Sequence, residues 1–329
     1  MEQLLFVLAV SFLATLWVTP RFIRKLSHSG IVGRDMNKVG HPWVPEMGGL
    51  AVVAGFIAGV LLAVALYTFN VFGMHELDLN LNYLLAGLST VLIMALIGIF
   101  DDLLLMRQSV KAMLPLLASL PLVAVKLGVT HMTFPVLGEV DFGILFPLLL
   151  IPLAVTGASN ATNMLAGFNG LEAGLGVVMT AAVGLAGFVF GRVEAVILSF
   201  AMLGSLVAFL RYNWYPARVL IGDVGTLTIG AVVAVSVIVG NMEKIGVILI
   251  LPFFGELFLK ARGRFKAQSW CQVRGDRLYC RRKGEVYGLG RLVMYLFNGI
   301  HEQNLVVVLV AFEVFFALIA LFSYGILSF

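Results

Sequence analysis

The sequence predicts an all-α protein embedded in a membrane, and three observations predict it. Of its 329 residues, 60% are hydrophobic and only 12% charged, with a mean hydropathy of +1.02. That leaves too little polar surface to wrap a water-soluble globule of this length. The apolar residues fall into ten runs, at 3–20, 47–69, 83–100, 112–128, 143–160, 173–190, 194–210, 219–240, 243–259 and 304–327, each long enough for a bilayer core of about 30 Å. Nineteen of the 22 Lys and Arg lie on alternate connections between these runs, and the other connections keep only Lys126, Arg192 and Lys244. By the positive-inside rule this asymmetry predicts a multi-pass protein of the cell membrane. It has about ten transmembrane helices, N- and C-termini outside, one membrane domain over 1–329, and a cytosolic loop subdomain at 260–303 between helices 9 and 10.

Taken in order, the first run carries Glu2 in place of a basic leader and is followed by Arg21, Arg24 and Lys25, so it reads as a retained span. The first connection gathers Asp35-Met-Asn37-Lys38, Pro45-Glu46 and Gly48-Gly49. The third span ends on Asp101-Asp102, two like charges at a helix C-terminus, where a cation is the favoured neighbour. Arg107 and Lys111 follow closely and could return toward them.

The connection from Asn160 to Glu172 holds no Lys or Arg but three asparagines, Asn160, Asn163 and Asn169, and two glycines, Gly167 and Gly170. It is either a plain Gly/Asn turn or a set of carbonyl acceptors with close backbone approach, suited to a metal or a base edge. Asp223, just inside the eighth span, needs a cation, for which Arg218 and Arg211 are the near candidates in sequence. Arg262-Gly-Arg264 after the ninth span is either a basic stop signal or a pair that forks onto phosphate oxygens.

In the 260–303 loop, the stretch from Trp270 to Cys280 reads as a short β-hairpin turning at Gly275-Asp276, with Cys271 facing Cys280. That pair is two reduced thiols, a disulfide, or half of a zinc site short of two ligands. Glu256 and Glu313 lie inside apolar runs; an i,i+4 pair with Lys260 suits the first and a helix-to-helix hydrogen bond the second.

A net charge of +4 raises nucleic acid as a partner, but the basic residues punctuate apolar runs and form no basic stripe, so nucleic acid is excluded. A transporter or lipid flippase would show two corresponding halves with polar breaks at the midplane. Here the polar clusters sit at one face. The dense aspartate motif of CDP-alcohol phosphotransferases is absent. Carboxylates, amide oxygens, a lysine and paired arginines at a lipid–water boundary suit diphosphate chemistry, in which Mg²⁺ bridges phosphates and keeps one or two protein contacts. Asn163 and Asp223 are the expected contacts. A lipid phosphate, with a second pKa of about 6, is mostly dianionic at pH 7 and needs no strong base.

These residues carry a resemblance. The Asp101-Asp102 pair with Lys111, the stretch from Asn160 through Glu172, Asn213-Trp-Tyr-Pro216 with Gly222-Asp223, and the closing Ile300-His-Glu-Gln-Asn304 resemble the polyprenyl-phosphate N-acetylhexosamine-1-phosphate transferases. The likeness covers nearly the whole chain and leans toward the dolichyl-phosphate branch that begins N-linked glycosylation. It implies transfer of N-acetylglucosamine-1-phosphate, or a related N-acetylhexosamine-1-phosphate, from the UDP-sugar to dolichyl or polyprenyl phosphate with release of UMP, at a site on the cytoplasmic face. An initiating transferase for cell-wall or surface polysaccharide is the alternative within the family.

The resemblance also implies Mg²⁺, with Mn²⁺ as a substitute, on Asn163 and Asp223, and Asp101 or Asp102 on the lipid phosphate. Lys111 and Arg262 would meet phosphates, Gly167 and Asn169 uracil, and Lys38, Glu46, Asn160 and Arg264 would line the substrate site. A homodimer is an analogy from the family. Two departures stand out: Gly263 replaces the histidine that the dolichyl branch carries between its two arginines, and Leu220 replaces an aromatic ring that stacks on uracil. No histidine-rich motif occurs between 260 and 303, which argues against a muramyl-pentapeptide substrate.

Overall fold

The computed structural model describes residues 2–104, 106–134, 138–265, 271–280 and 286–326. The chain opens with α1 (Leu5–His28), a small hairpin of β1 (Val32–Arg34) and β2 (Trp43–Pro45), α2 (Gly49–Thr68) and α3 (Leu81–Leu104). Short helices α4 (Gln108–Met113), α5 (Pro115–Ala118) and α6 (Leu120–Ala124) lead to the pair β3 (His131–Phe134) and β4 (Gly138–Asp141). Next come α7 (Ile151–Met164), α8 (Leu171–Val189), α9 (Val193–Asn213), α10 (Gly222–Val239) and α11 (Glu243–Arg262). Strands β5 (Gln272–Arg274) and β6 (Arg277–Tyr279), then α12 (Leu289–Leu296) and α13 (Glu302–Ser323), complete the fold.

Among the described residues seven helices, α1, α2, α3, α8, α9, α10 and α13, are long and apolar enough to cross a membrane. The remaining three apolar runs depart from a plain span for readable reasons. Pro115 and Pro121 cut 112–128 into α4, α5 and α6, because proline lacks the N–H and crowds the preceding turn. Pro147 and Pro152 accompany a π-helical turn, Phe146–Leu150, that precedes α7. Helix α11 has Pro252 inside it and carries Glu243, Lys244, Glu256, Lys260 and Arg262.

Helix α10 is the axis of the bundle. It reads Val, Ala, Gly, Ile and Thr almost throughout, and 89% of its apolar window is buried against α2, α3, α7, α8, α9 and α11. Small residues are what let membrane helices approach. A Cβ on Gly98 of α3 would fall 2.4 Å from the Val224 Cα, so only glycine lets the end of α3 touch the start of α10. At the other extreme only 22% of the α1 window is buried, and Leu13 and Trp17 point outward, as expected for a helix solvated by lipid.

The hairpin expected at Gly275-Asp276 forms, with Gln272 opposite Tyr279 and Arg274 opposite Arg277. Trp270, its expected first residue, lies outside the described residues, as do 266–269 and 281–285 of the same connection. Cys271 and Cys280 are thiols and not a disulfide. Leu278 and Ile300 exchange backbone hydrogen bonds of 2.8 and 3.1 Å, which docks the hairpin onto the entry to α13. The β1–β2 hairpin of the first connection had no counterpart in the sequence reading. Leu220 N donates to Pro45 O, and Gly48 N to Leu220 O, both at 2.8 Å. The chain from β2 into α2 is thereby laid beside the start of α10.

Candidate active site

Four segments converge on the N-terminus of α10. The first N–H groups of a helix have no partner inside it, and here a side chain from another helix supplies one. Asp102, at the end of α3, accepts from Asp223 N at 2.8 Å and from Val224 N at 3.0 Å. Its position at the C-terminus of its own helix is explained by the service it gives to the positive end of the next. Adjacent Asp101 faces another way: its Oδ2 lies 2.5 Å from the Lys111 Nζ, and its Oδ1 accepts from Met106 N. Lys111 also lies 2.5 Å from Asp223 Oδ2. The cation that Asp223 requires is thus Lys111, and not Arg218 or Arg211.

Asn163, near the end of α7, donates to Asp223 Oδ1 at 2.5 Å and to Thr226 Oγ1 at 2.8 Å. Thr162 binds the Thr226 carbonyl at 2.8 Å, fixing α7 against α10 in that register. Glu46 joins from the segment after β2. Burial pushes its carboxyl above the ordinary carboxylate range, and the charge of Asp223 pushes it further in the same direction.

Among the described residues the cluster therefore gathers four carboxyl groups, Glu46, Asp101, Asp102 and Asp223, of which Asp101 and Asp223 pair with the ammonium of Lys111. Asp223 is partly exposed, with 31% of its side chain accessible against 5% for Asp101, and Glu46 and Asp102 are likewise only partly buried. All the donors are oxygens, the kind Mg²⁺ selects. A half-turn of the Asn163 amide would put its oxygen on the side of Asp223, so the two residues fit a hard cation that keeps its remaining water or phosphate ligands. Among the described residues no group of three or more His, Cys, Asp or Glu is arranged for a metal.

A second polar cluster forms at the N-terminus of α13. Glu302 Oε1 accepts from Asn169 N at 2.7 Å, and Glu302 Oε2 pairs with Lys38. Lys38 also lies 3.1 Å from Asp35 Oδ2 and 4.6 Å from the Tyr215 ring centre. The Asn169 side chain is engaged at both ends, donating to Asp35 Oδ2 at 3.0 Å and accepting from Ala217 N at 2.9 Å. Asn37 donates to Gly167 O at 2.7 Å and accepts from Cys271 N at 3.3 Å.

Residues 84–241 match the family model described as glycosyl transferase family 4. Over 315 residues the chain is 36% identical to a Saccharolobus solfataricus protein called "Putative UDP-N-acetylglucosamine--dolichyl-phosphate N-acetylglucosaminephosphotransferase", covering 94% of this chain and 92% of that one. The chain belongs to glycosyl transferase family 4. It is 31% identical over 278 residues to the Dictyostelium discoideum protein named UDP-N-acetylglucosamine--dolichyl-phosphate N-acetylglucosaminephosphotransferase, covering 73% of this chain and 67% of that one. A Shouchella clausii protein named phospho-N-acetylmuramoyl-pentapeptide-transferase is 30% identical over 275 residues, 78% of this chain and 79% of that one.

Within this family 4 chain, the matched interval holds Asp101, Asp102, Lys111, Asn163 and Asp223, the residues that meet at α10. Other expected residues lie apart from them. Asn160 ties helices together, donating to Ala112 O at 3.1 Å and Thr156 O at 2.9 Å. Arg262 donates to Val286 O at 3.2 Å and lies 5.9 Å from the Tyr287 ring centre. Among the described residues neither Arg262 nor Arg264 pairs with the carboxylates at α10. A Cβ on Gly263 would sit 2.8 Å from the Tyr287 ring, which explains the missing side chain between the two arginines.

Glu256 and Lys260 pair at 3.3 Å as expected, and they do more: Glu256 accepts from Leu289 N at 2.6 Å and Lys260 donates to Met164 O. The hydrogen bond expected for Glu313 is overturned. Among the described residues both of its oxygens are buried without a hydrogen-bond partner, where the helix packs on α8 and α11. Thr226 and Glu302 had no role assigned from the sequence. The signal for Glu302 was a charge opening an apolar span; nothing in the sequence pairs Thr226 with Asn163.

Proposed function

We propose that this chain transfers N-acetylglucosamine-1-phosphate from UDP-N-acetylglucosamine to dolichyl or a related polyprenyl phosphate, releasing UMP. The observation that carries the reading is the acidic cluster at α10, with Asp223 partly exposed and Lys111 bridging it to Asp101, inside a family 4 chain whose relatives bear that activity in their names.

An oxygen of the lipid phosphate attacks the phosphorus that bears the sugar, and the bond to the bridging oxygen breaks so that UMP departs with that oxygen. The acceptor is mostly dianionic at pH 7, with a second pKa of about 6, so positioning and charge neutralisation matter more than a general base. Asp223 and Asn163 would hold Mg²⁺, which when bound neutralises charge on the diphosphate. Lys111 supplies the fixed positive charge nearest to the reacting phosphates. Asp101 holds Lys111 in place, and Asp102 holds the backbone of Asp223 and Val224, so the paired aspartates act as a frame for the charged groups. The remaining roles, Arg262 toward phosphates, Arg264 in the substrate site and Gly167 and Asn169 toward uracil, rest on the resemblance.

The charge pattern supports ten crossings with this cluster on the cytoplasmic side, since nineteen of the 22 basic residues fall on the connections of that face. The test is UMP release by purified protein supplied with UDP-N-acetylglucosamine, Mg²⁺ and a short polyprenyl phosphate, with and without EDTA. Release that needs both lipid and metal is expected. Release that persists in EDTA would remove the metal role, and no release with any UDP-sugar or lipid phosphate would overturn the reading.

A further inference from the structure

Glu302 is the first residue of α13, where a carboxylate commonly serves the free N–H groups of its own helix. Both of its oxygens instead leave α13. One accepts from the Asn169 backbone and the other takes the Lys38 ammonium. Only 2% of the Glu302 side chain is exposed and 13% of that of Lys38, so the pair is shielded from water and its geometry is held tightly. The turn it grips, 165–170, contains no Lys or Arg of its own. Beside the local bond of Gly167 N to Glu172 at 2.7 Å, its shape is held by residues distant in sequence: Glu302 on Asn169 N, Asn37 on Gly167 O, Asp35 and the Ala217 N–H on the two ends of the Asn169 amide.

We infer that Glu302 is a positioning residue, which with Lys38 sets the 167–169 turn in the shape that receives the nucleotide half of the donor. The inference rests on the transferase reading and deepens it. Lys38 and Asn169 then act through this network, since their polar groups are committed to Asp35, Glu302 and Ala217. The cluster at α10, where the phosphates react, shares no hydrogen bond or ion pair with Glu302 among the described residues. Disturbing Glu302 should therefore weaken donor binding and leave the chemical step alone.

The experiment compares wild type, Glu302→Gln, Lys38→Gln and the double variant in the full-length protein, each checked for folding by its thermal unfolding temperature in detergent. Glu302→Gln keeps size and one acceptor but removes the charge that faces Lys38. We expect a rise of about tenfold in KM for UDP-N-acetylglucosamine, the scale of losing one charged hydrogen bond. The kcat and the KM for the lipid phosphate should stay within about twofold, because binding is lost uniformly. Lys38→Gln should do the same, and the double variant should be no worse than either single, because both break one interaction. An unchanged donor KM, a joint fall in kcat, both affinities and unfolding temperature, or effects of the two substitutions that multiply would each overturn the inference while wild-type turnover keeps the transferase reading intact. A wild type without turnover would instead remove the reading and the inference with it.

Discussion

The polar clusters at the starts of α10 and α13 are built from the same residue types and do opposite things with them. At α10, four carboxyl groups gather with one lysine, which pairs with only two of them, and Asp223 is partly exposed. At α13, Asp35 and Glu302 share Lys38, and the amides of Asn37 and Asn169 are used at both ends. The first is an electrostatic vacancy that a cation and phosphates would complete. The second is closed on itself and works as a clasp between the first connection, the 165–170 turn, the β5–β6 hairpin and the last helix. Buried charges that are fully paired specify geometry, whereas charge left in excess invites a ligand.

The widest separation between the two regions should come from Asp223→Ala. It is expected to lower metal-dependent UMP release by about a thousandfold, the scale of removing a principal electrostatic group, while thermal unfolding in detergent shows the bundle intact. Full activity would take Asp223 out of the site. Next is Asp102→Ala, which strips the start of α10 of its two acceptor bonds and should cost about 1–3 kcal/mol of stability, read as a lowered unfolding temperature along with lost turnover. Asp102→Asn, keeping one acceptor, should lie between.

A finer comparison adds one negative charge to each cluster. Asn169→Asp sets a carboxylate beside Asp35 and Glu302 and should destabilise by about 1–2 kcal/mol, with no relief from Mg²⁺. Asn163→Asp adds its charge beside Asp223, and there Mg²⁺ should restore the unfolding temperature that EDTA lowers. Equal responses of the two variants to Mg²⁺ would erase the distinction between vacancy and clasp. The smallest effect concerns Cys271, whose N–H belongs to the clasp. Burial pushes its thiol up to about 12. In a Cys280→Ser background Cys271 should resist alkylation at pH 8, and its rate should keep rising with pH well beyond the plateau of an exposed thiol. Rapid labelling at pH 8 would mean that the hairpin opens.

Much of the α10 site was legible in the chain. Asp101-Asp102 and Asp223 stand out because ionised groups at the ends of apolar runs are costly, and Lys111 and Asn163 were candidates by proximity to such ends. What could not be read was the division of labour in the aspartate pair. Whether Asp101 or Asp102 turns toward Lys111 depends on how α3 crosses α10, and that crossing is set by the contact of Gly98 with Val224. The clasp was less legible still. Lys38, Gly167 and Asn169 looked like ligand contacts, and Glu302 carried no role beyond its place in the Ile300–Asn304 stretch, because partners 130 or more residues apart leave no periodic trace in sequence.

By itself, then, the sequence determined that the chain lies in a membrane, which segments are apolar and where charge collects, because the cost of burying polar groups in lipid acts on local composition. The tertiary structure alone decided which charges face one another. Side-chain pairing depends on the rotation and crossing of packed helices, and a shift of one residue in that packing, about 100° around a helix, would exchange the open carboxylate for a buried one.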